Sequence, residues 1–208
     1  MSDPTPSPGA EHRLRDIITV FVLSVTAVLT AWCGFEASKW GGEMSIAFSR
    51  ASSARIQAAD HEGEARDARQ FDLTIYAQWV IANADQQPEL AQYIQERFTP
   101  AFATAFDAWQ SDGAQELSPF AREEYRPEGT AAAAHWSATA DERFDEALEN
   151  NQRGDNFSLL TVLFALVLFL TAMSQRHIST WSSRIPLSLA ITAGIVGVVI
   201  MFSFPMII

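Results

Sequence analysis

The sequence predicts an all-α protein with three transmembrane helices and an acidic extramembrane helical domain built on extensions of helices 1 and 2. Three stretches, residues 17–35, 157–175 and 185–208, contain no Asp, Glu, Lys or Arg. As helices of 19, 19 and 24 residues they would reach roughly 29 to 36 Å, which matches a hydrocarbon core of about 30 Å. Charged residues concentrate in the rest of the chain at the density of water-exposed protein. This division disfavours a wholly soluble enzyme, a disordered tail, a disulfide-stapled domain and a basic nucleic-acid binder.

Basic residues in the short segments predict the orientation in the membrane. Arg13 and Arg15 precede the first stretch, and the segment 174–184 contains Arg176, His177 and Arg184 without an acid. Because Lys and Arg in short loops tend to stay in the cytoplasm, both segments are expected inside. The predicted order is a cytoplasmic tail 1–16, transmembrane helix 17–35, extracytoplasmic helical domain 36–156, transmembrane helix 157–173, cytoplasmic loop 174–184 and transmembrane helix 185–208.

The expected extracytoplasmic domain carries most of the charge. Residues 36–156 contain 22 acidic and 10 basic side chains, and no acid follows Asp155. A negative field of this size disfavours nucleic acid and anionic lipid headgroups, and it favours cations or basic proteins as partners. A solubilising charged surface is the simpler interpretation. Expected partners are membrane lipid, further copies of the chain, and cations or a basic protein, with no nucleic acid and no cofactor.

Helical periodicity predicts how this domain is built. Small residues recur at helical spacing beyond Trp40, so the first membrane helix is expected to continue outward until Pro88, and a second long helix should run from Thr130 into the second span. These two helices are expected to form an antiparallel pair. Two shorter helices are predicted between them, because Thr99-Pro100 and Ser118-Pro119 are typical of an N-cap followed by a first-turn proline. The small seam residues include Ala47, Ala51, Ala54, Ala58, Ala65 and Ala68.

The segment 31–42 resembles a known family. It reads Ala-Trp-Cys-Gly-Phe-Glu-Ala-Ser-Lys-Trp-Gly-Gly and is similar to the A-W-x-x-[FY]-[EQ]-A-S-x-W-x-G-like motif that uncharacterised bacterial integral membrane proteins carry at the end of their first span. Further similarity extends to residues 151–156, before the second span. The resemblance implies a multi-pass protein of the bacterial inner (plasma) membrane, and it supplies no catalytic residue.

A threonine face on the first span is a candidate functional feature. Thr19, Thr26 and Thr30 share one side of the predicted helix, and Glu36 and Glu43 follow just outside the span. In an oligomer this face could line a cation-conducting pore whose mouth carries rings of carboxylates. Alternatively, the threonines bond to their own helix or lie in a helix interface.

Two histidines form a speculative metal site. His61 and His135 would lie at similar heights in a straight helical hairpin, and acidic residues flank His61. The sequence His61-Glu62 is not a zinc-protease motif, because Ala65 stands where the second histidine is required. Solvated surface histidines are the simpler interpretation, and a metal-dependent extracytoplasmic enzyme is a third hypothesis.

The leading functional hypothesis is a non-enzymatic oligomeric scaffold or sensor in the membrane. Lys39 is the chain's one lysine, Cys33 lies at the membrane, and no catalytic serine motif or phosphate-binding glycine loop is present. Oligomerisation is inferred from the alanine seam and from the small core that three spans provide. The alternative is an oligomeric cation-conducting pore lined by transmembrane helix 1.

Overall fold

The described part of the protein is entirely helical. A computed structural model describes residues 8–175 and 180–207, and no strand occurs among them. The predicted all-α class is confirmed. Residues 1–7 of the predicted tail, Arg176 and His177 of the predicted loop, and Ile208 lie outside the described residues, as do the side chains of Arg15 and Arg184. The helices are α1 (Pro8–Ala84), α2 (Pro88–Gln95), α3 (Pro100–Ser111), α4 (Thr130–Ser174) and α5 (Thr180–Ser203), with a short 3₁₀ helix at Pro119–Ala121.

Three of the helices are long and apolar enough to cross a membrane. By length and composition, α1, α4 and α5 each contain such a window, which agrees with the three predicted spans. The helix α5 begins at Thr180, before the predicted start at residue 185, and ends at Ser203 instead of continuing to residue 208. Pro205 explains the early end, because proline disfavours a helical conformation in the residue before it and has no N–H to donate.

The helix α1 is unbroken from Pro8 to Ala84, so the expected continuation beyond the first span is present. The chain then turns at Gln86, whose φ of 58° lies in the left-handed region. Pro88 was expected only to end a helix, but it begins α2. Proline is favourable in a first helical turn, because the N–H that it lacks would have no partner there.

The two Ser/Thr-Pro pairs that predict helix starts give different structures. Thr99 caps α3 by accepting a hydrogen bond from the backbone N–H of Phe102 at 3.3 Å, as the Thr-Pro pair predicts. The helix ends at Ser111, before Gly113 with a φ of 74°. Ser118-Pro119 opens only a three-residue 3₁₀ helix, and the Ser118 side chain makes no capping bond. The second short α-helix was therefore predicted wrongly.

The chain divides into two compact units, of which unit 1 comprises the residues up to Ala47 and from Asp145 onward. In it, α4 packs against α1 where Gly154 faces Ala37 and Trp40. The helix α5 approaches α4 closely, because a Cβ added to Gly197 would lie 2.9 Å from Cε1 of Phe164. The core consists of Cys33, Trp40, Phe157, Leu160, Phe164 and Met201.

Unit 2 is the segment Phe48–Phe144. Here Gly129, just before α4, lies against the backbone of His61, while Phe144 contacts the Phe48 ring at a centroid distance of 5.5 Å. The helix α4 is therefore antiparallel to α1 in this unit, as the sequence predicts. Ala65 and Ala68 of the predicted seam are only partly buried. Three other seam alanines on α1 and two alanines on α4 are buried, so they pack within the chain and do not by themselves offer a surface to a second copy. They are Ala51, Ala54 and Ala58 on α1, and Ala133 and Ala140 on α4.

Candidate functional site

The threonine face of α1 points into unit 1. The side chains of Thr19 and Thr26 are only 3% and 5% exposed, and the hydroxyl of Thr30 donates to the carbonyl oxygen of Thr26 at 2.8 Å. Glu43, by contrast, is exposed. Burial within one chain and hydrogen bonding to the same helix are the properties that the helix-interface interpretation requires.

Glu36 lies in the core of unit 1, although the sequence placed it at a solvent-facing mouth. Its side chain is fully buried, and its Oε2 accepts a hydrogen bond from the backbone N–H of Ile207 at 3.0 Å. The carboxylate thus joins α1 to the segment that follows α5. Its position could have been inferred from spacing, because Cys33 and Trp40 flank Glu36 by three and four residues and occupy the same buried helix face.

An apolar groove separates α1 from α5 in unit 1. Its volume is about 330 Å³, which is at the lower end of the range for small-molecule sites. The groove is lined by Phe21, Val22, Val25, Thr26 and Leu29 of α1, Val167 of α4, and Ala190, Ile191, Gly194, Ile195, Val198 and Val199 of α5. Such a lining suits hydrocarbon and provides no set of polar groups to orient a polar ligand.

Asp72, Thr99 and Tyr125 form a hydrogen-bonded cluster in unit 2, the Asp72 node. Asp72 is fully buried, and its Oδ1 accepts a hydrogen bond from the hydroxyl of Thr99 at 2.7 Å. Its Oδ2 accepts one from the hydroxyl of Tyr125 at 3.0 Å. Burial, and then the hydrogen bond to Asp72, raise the pKa of Tyr125 above its ordinary value. Sequence reasoning missed this node, because its partners lie 27 and 53 residues from Asp72.

Aromatic rings fill the space beside this node. Phe102 stacks on Phe120 at a centroid distance of 4.7 Å and meets Tyr76 edge to face at 5.6 Å. Such contacts stabilise a core beyond the area that they bury. Its buried members are Phe98, Phe102, Ala105, Phe106 and Tyr125, with Ile75, Tyr76, Trp79, Ile94, Ala103, Trp109 and Phe120 packed around them.

Arg122 organises the loop between α3 and α4. Its guanidinium bonds to Asp112 at 2.6 Å, to Glu116 at 2.8 Å and to Glu124 at 3.1 Å. The hydrogen bonds from Arg122 lower the pKa of Glu124 below its ordinary value. The indole of Trp109 adds a bond to the carbonyl oxygen of Glu116 at 2.8 Å. These bonds fix the path of the loop, while Oε2 of Glu116 is buried without a hydrogen-bond partner among the described residues.

The two candidate metal ligands have other neighbours. The Nδ1 of His61 lies 2.8 Å from a carboxylate oxygen of Glu64, and the ring of His135 lies against Trp136 at a centroid distance of 5.6 Å. Within residues 8–175 and 180–207, no three His, Cys, Asp or Glu side chains are arranged to hold a metal ion. The proposed pair therefore gains no third ligand from the described chain, and the metal hypothesis stays a prediction.

The surface of unit 2 combines acidic charge with exposed apolar side chains. The segment contains 16 acidic and 8 basic residues. Several large apolar side chains are exposed on it, including Leu117 at 102% and Phe71 at 53%. Others are Ile56, Ile81, Leu90 and Tyr93. Exposed apolar side chains that are scattered singly are ordinary, and only those that form a contiguous patch indicate contact with another macromolecule.

The chain was compared with family models, curated proteins and solved structures. No family model, no curated protein and no solved structure matches the chain. The resemblance at residues 31–42 stays an expectation, and conclusions about function have to come from the residues themselves.

Proposed function

We propose that the protein is a non-enzymatic, multi-pass protein of the bacterial inner membrane, in which unit 2 acts as an oligomeric scaffold or sensor on the extracytoplasmic side. Three helices of spanning length and composition support the membrane location. The basic residues at 13, 15, 176 and 184 support a cytoplasmic N-terminus.

The proposal rests on the exposed apolar side chains of unit 2, which lie outside a core of packed aromatic rings and buried hydrogen bonds. Inside, both oxygens of Asp72 are occupied and aromatic rings fill the core beside it. Outside, Leu117, Phe71 and Ile56 are exposed to solvent. The exposed apolar side chains offer a surface for another chain to bind.

The net negative charge of unit 2 indicates which partners its surface would bind. The twofold excess of acidic over basic residues in unit 2 attracts a partner with a basic surface and repels nucleic acid. Contacts between copies would need to place the exposed apolar side chains at the centre and keep the carboxylates at the rim, because charged residues are depleted from interface cores.

The geometry favours the scaffold over the cation pore. A pore lined by α1 between copies needs its threonines on an outward face, but Thr19 and Thr26 are buried within one chain. Planar-bilayer recording separates the two functions. The scaffold predicts that the purified oligomer is electrically silent, whereas conductance that disappears in Thr26→Leu would establish the pore.

Site-specific photocrosslinking in native membranes tests the scaffold directly. A photoreactive residue at position 71 or 117 of unit 2 is expected to give discrete adducts at the mass of a dimer or of a defined heteromeric complex. Glu142, which is exposed on α4, is the matched control position and should give far less. Monomer alone at all three positions would refute the proposal.

A further inference from the structure

Two polar atoms in the core of unit 1 lack a hydrogen-bond partner among the described residues. They are Oε1 of Glu36 and Nε1 of Trp40. Both side chains are more than nine-tenths buried, at 0% and 7% exposure. A buried donor or acceptor without a partner is destabilising, and native proteins satisfy nearly all such groups with protein atoms or ordered water.

The two side chains have complementary hydrogen-bonding groups and lie about one helical turn apart on α1. Residues four apart on a helix share a face, with Cβ atoms roughly 5 to 6 Å apart. A carboxylate oxygen only accepts hydrogen bonds and an indole N–H only donates one. A molecule that lies between Glu36 and Trp40 must therefore donate to the first and accept from the second.

From this geometry we propose a buried water-binding site in which one water molecule donates to Oε1 of Glu36 and accepts from Nε1 of Trp40. Water is the smallest species with both functions, and buried waters in proteins make about two to four such bonds. The carboxylate then has both oxygens occupied, since Oε2 already accepts the N–H of Ile207. The site connects α1 with the segment that follows α5.

The surroundings explain how water enters and is retained. The guanidinium of Arg153 lies over the Trp40 ring, 4.7 Å from its centroid, and this side chain is 32% exposed. Trp40 is therefore next to a solvent-accessible edge of unit 1. Phe157 and Leu160, whose side chains have no polar group, belong to the same core cluster as Trp40. The water is held by its hydrogen bonds to Glu36 and Trp40.

Solution NMR on the full chain in detergent, with ¹⁵N-labelled tryptophan, tests the site. Loss of one peak in Trp40→Phe assigns the Trp40 indole N–H. In the unmodified protein this peak is expected to show a cross peak to a water molecule of long residence, and it should shift upfield in Glu36→Leu. The control Glu43→Leu changes an exposed carboxylate seven residues along the same helix and should leave the peak in place.

Two other outcomes would overturn the proposal. A Trp40 peak that moves in Glu36→Leu but has no water cross peak would indicate a direct bond between the two side chains. A peak without a water contact that does not respond to Glu36→Leu would show that the atoms are not joined. If Glu36→Leu fails to fold, the water cross peak in the unmodified protein decides the question alone.

Discussion

Replacing Gly129 by alanine should destabilise unit 2 through two separable effects. The first is backbone strain, because Gly129 has a φ of 87° and the left-handed region costs other residues about 1 to 2 kcal/mol. The second is steric overlap. A Cβ at this position would lie 2.5 Å from the carbonyl oxygen of His61 and 3.1 Å from the backbone N of Ala65. Because both atoms belong to the backbone of α1, they cannot move aside as a flexible side chain could.

Gly113→Ala is the matched control for Gly129→Ala. Gly113 has a similar φ of 74°, but a Cβ there meets nothing within 4 Å. This variant should therefore lose only the strain, about 1 to 2 kcal/mol. Overpacking typically adds about 1 to 3 kcal/mol, so Gly129→Ala should lose roughly 2 to 5 kcal/mol in all.

Thermal unfolding of the two purified variants in the same detergent compares these costs. We expect Gly129→Ala to lower Tm clearly more than Gly113→Ala, by on the order of 2 to 4 °C for each additional kcal/mol in a chain of this size. Equal Tm values for the two variants would refute the close approach of α4 to α1 at His61.

Three further predictions follow from other contacts. Gly197→Ala should lower Tm relative to Gly194→Ala, because the added Cβ lies 2.9 Å from a ring carbon in the first case and 3.8 Å from a methyl group in the second. The free energies of unfolding of the two variants should differ by about 1 to 3 kcal/mol. The reverse order of Tm values would contradict the packing of α5 against α4. The raised pKa of Tyr125 means that the unfolded chain releases this proton first as pH rises, so stability is retained below the ordinary tyrosine pKa of about 10 and falls above it. Tyr125→Phe should make this fall shallower in pH-dependent unfolding, and an unchanged slope would exclude the effect. Arg122→Gln should accelerate limited proteolysis between α3 and α4. Arg126 is an exposed arginine nearby, and the control Arg126→Gln should leave the cleavage rate unchanged. Equal cleavage rates for the two variants would show that the ion pairs of Arg122 do not order the loop.

Local signals in the sequence predicted the elements that depend on local chemistry. The start of α3 after Thr99, its end before Gly113 and the start of α4 at Thr130 follow from capping and turn preferences that act over a few residues. The antiparallel pairing of α1 and α4 in unit 2 was predicted from two long helices that extend the first and second spans. The alanine seam was a wrong basis for inferring oligomerisation, because periodicity shows that a face is buried but not which helix covers it.

Long-range contacts account for what sequence reasoning did not find. The burial of Glu36 depends on Ile207, which is 171 residues away, and the Asp72 node depends on two distant hydroxyls. A carboxylate is normally expected at the surface, so composition argues against both positions, although the spacing of Cys33 and Trp40 around Glu36 indicates its buried helix face. Ser118-Pro119 resembles a helix start as closely as Thr99-Pro100 does. The residues after Ser118 instead pack Phe120 into the aromatic cluster and place Arg122 among its carboxylates, and the chain forms only a 3₁₀ turn.

Labelling of single cysteines in intact bacterial cells tests the central claim most directly, namely that the chain spans the membrane with unit 2 outside the cytoplasm. In a Cys33→Ser background, Tyr93→Cys in unit 2 and Arg13→Cys in the N-terminal part both replace exposed side chains. A maleimide that passes the outer membrane but not the inner membrane should label position 93 in intact cells, and position 13 only after lysis. The opposite pattern would contradict the orientation, and labelling of both positions from the same side would contradict the first span.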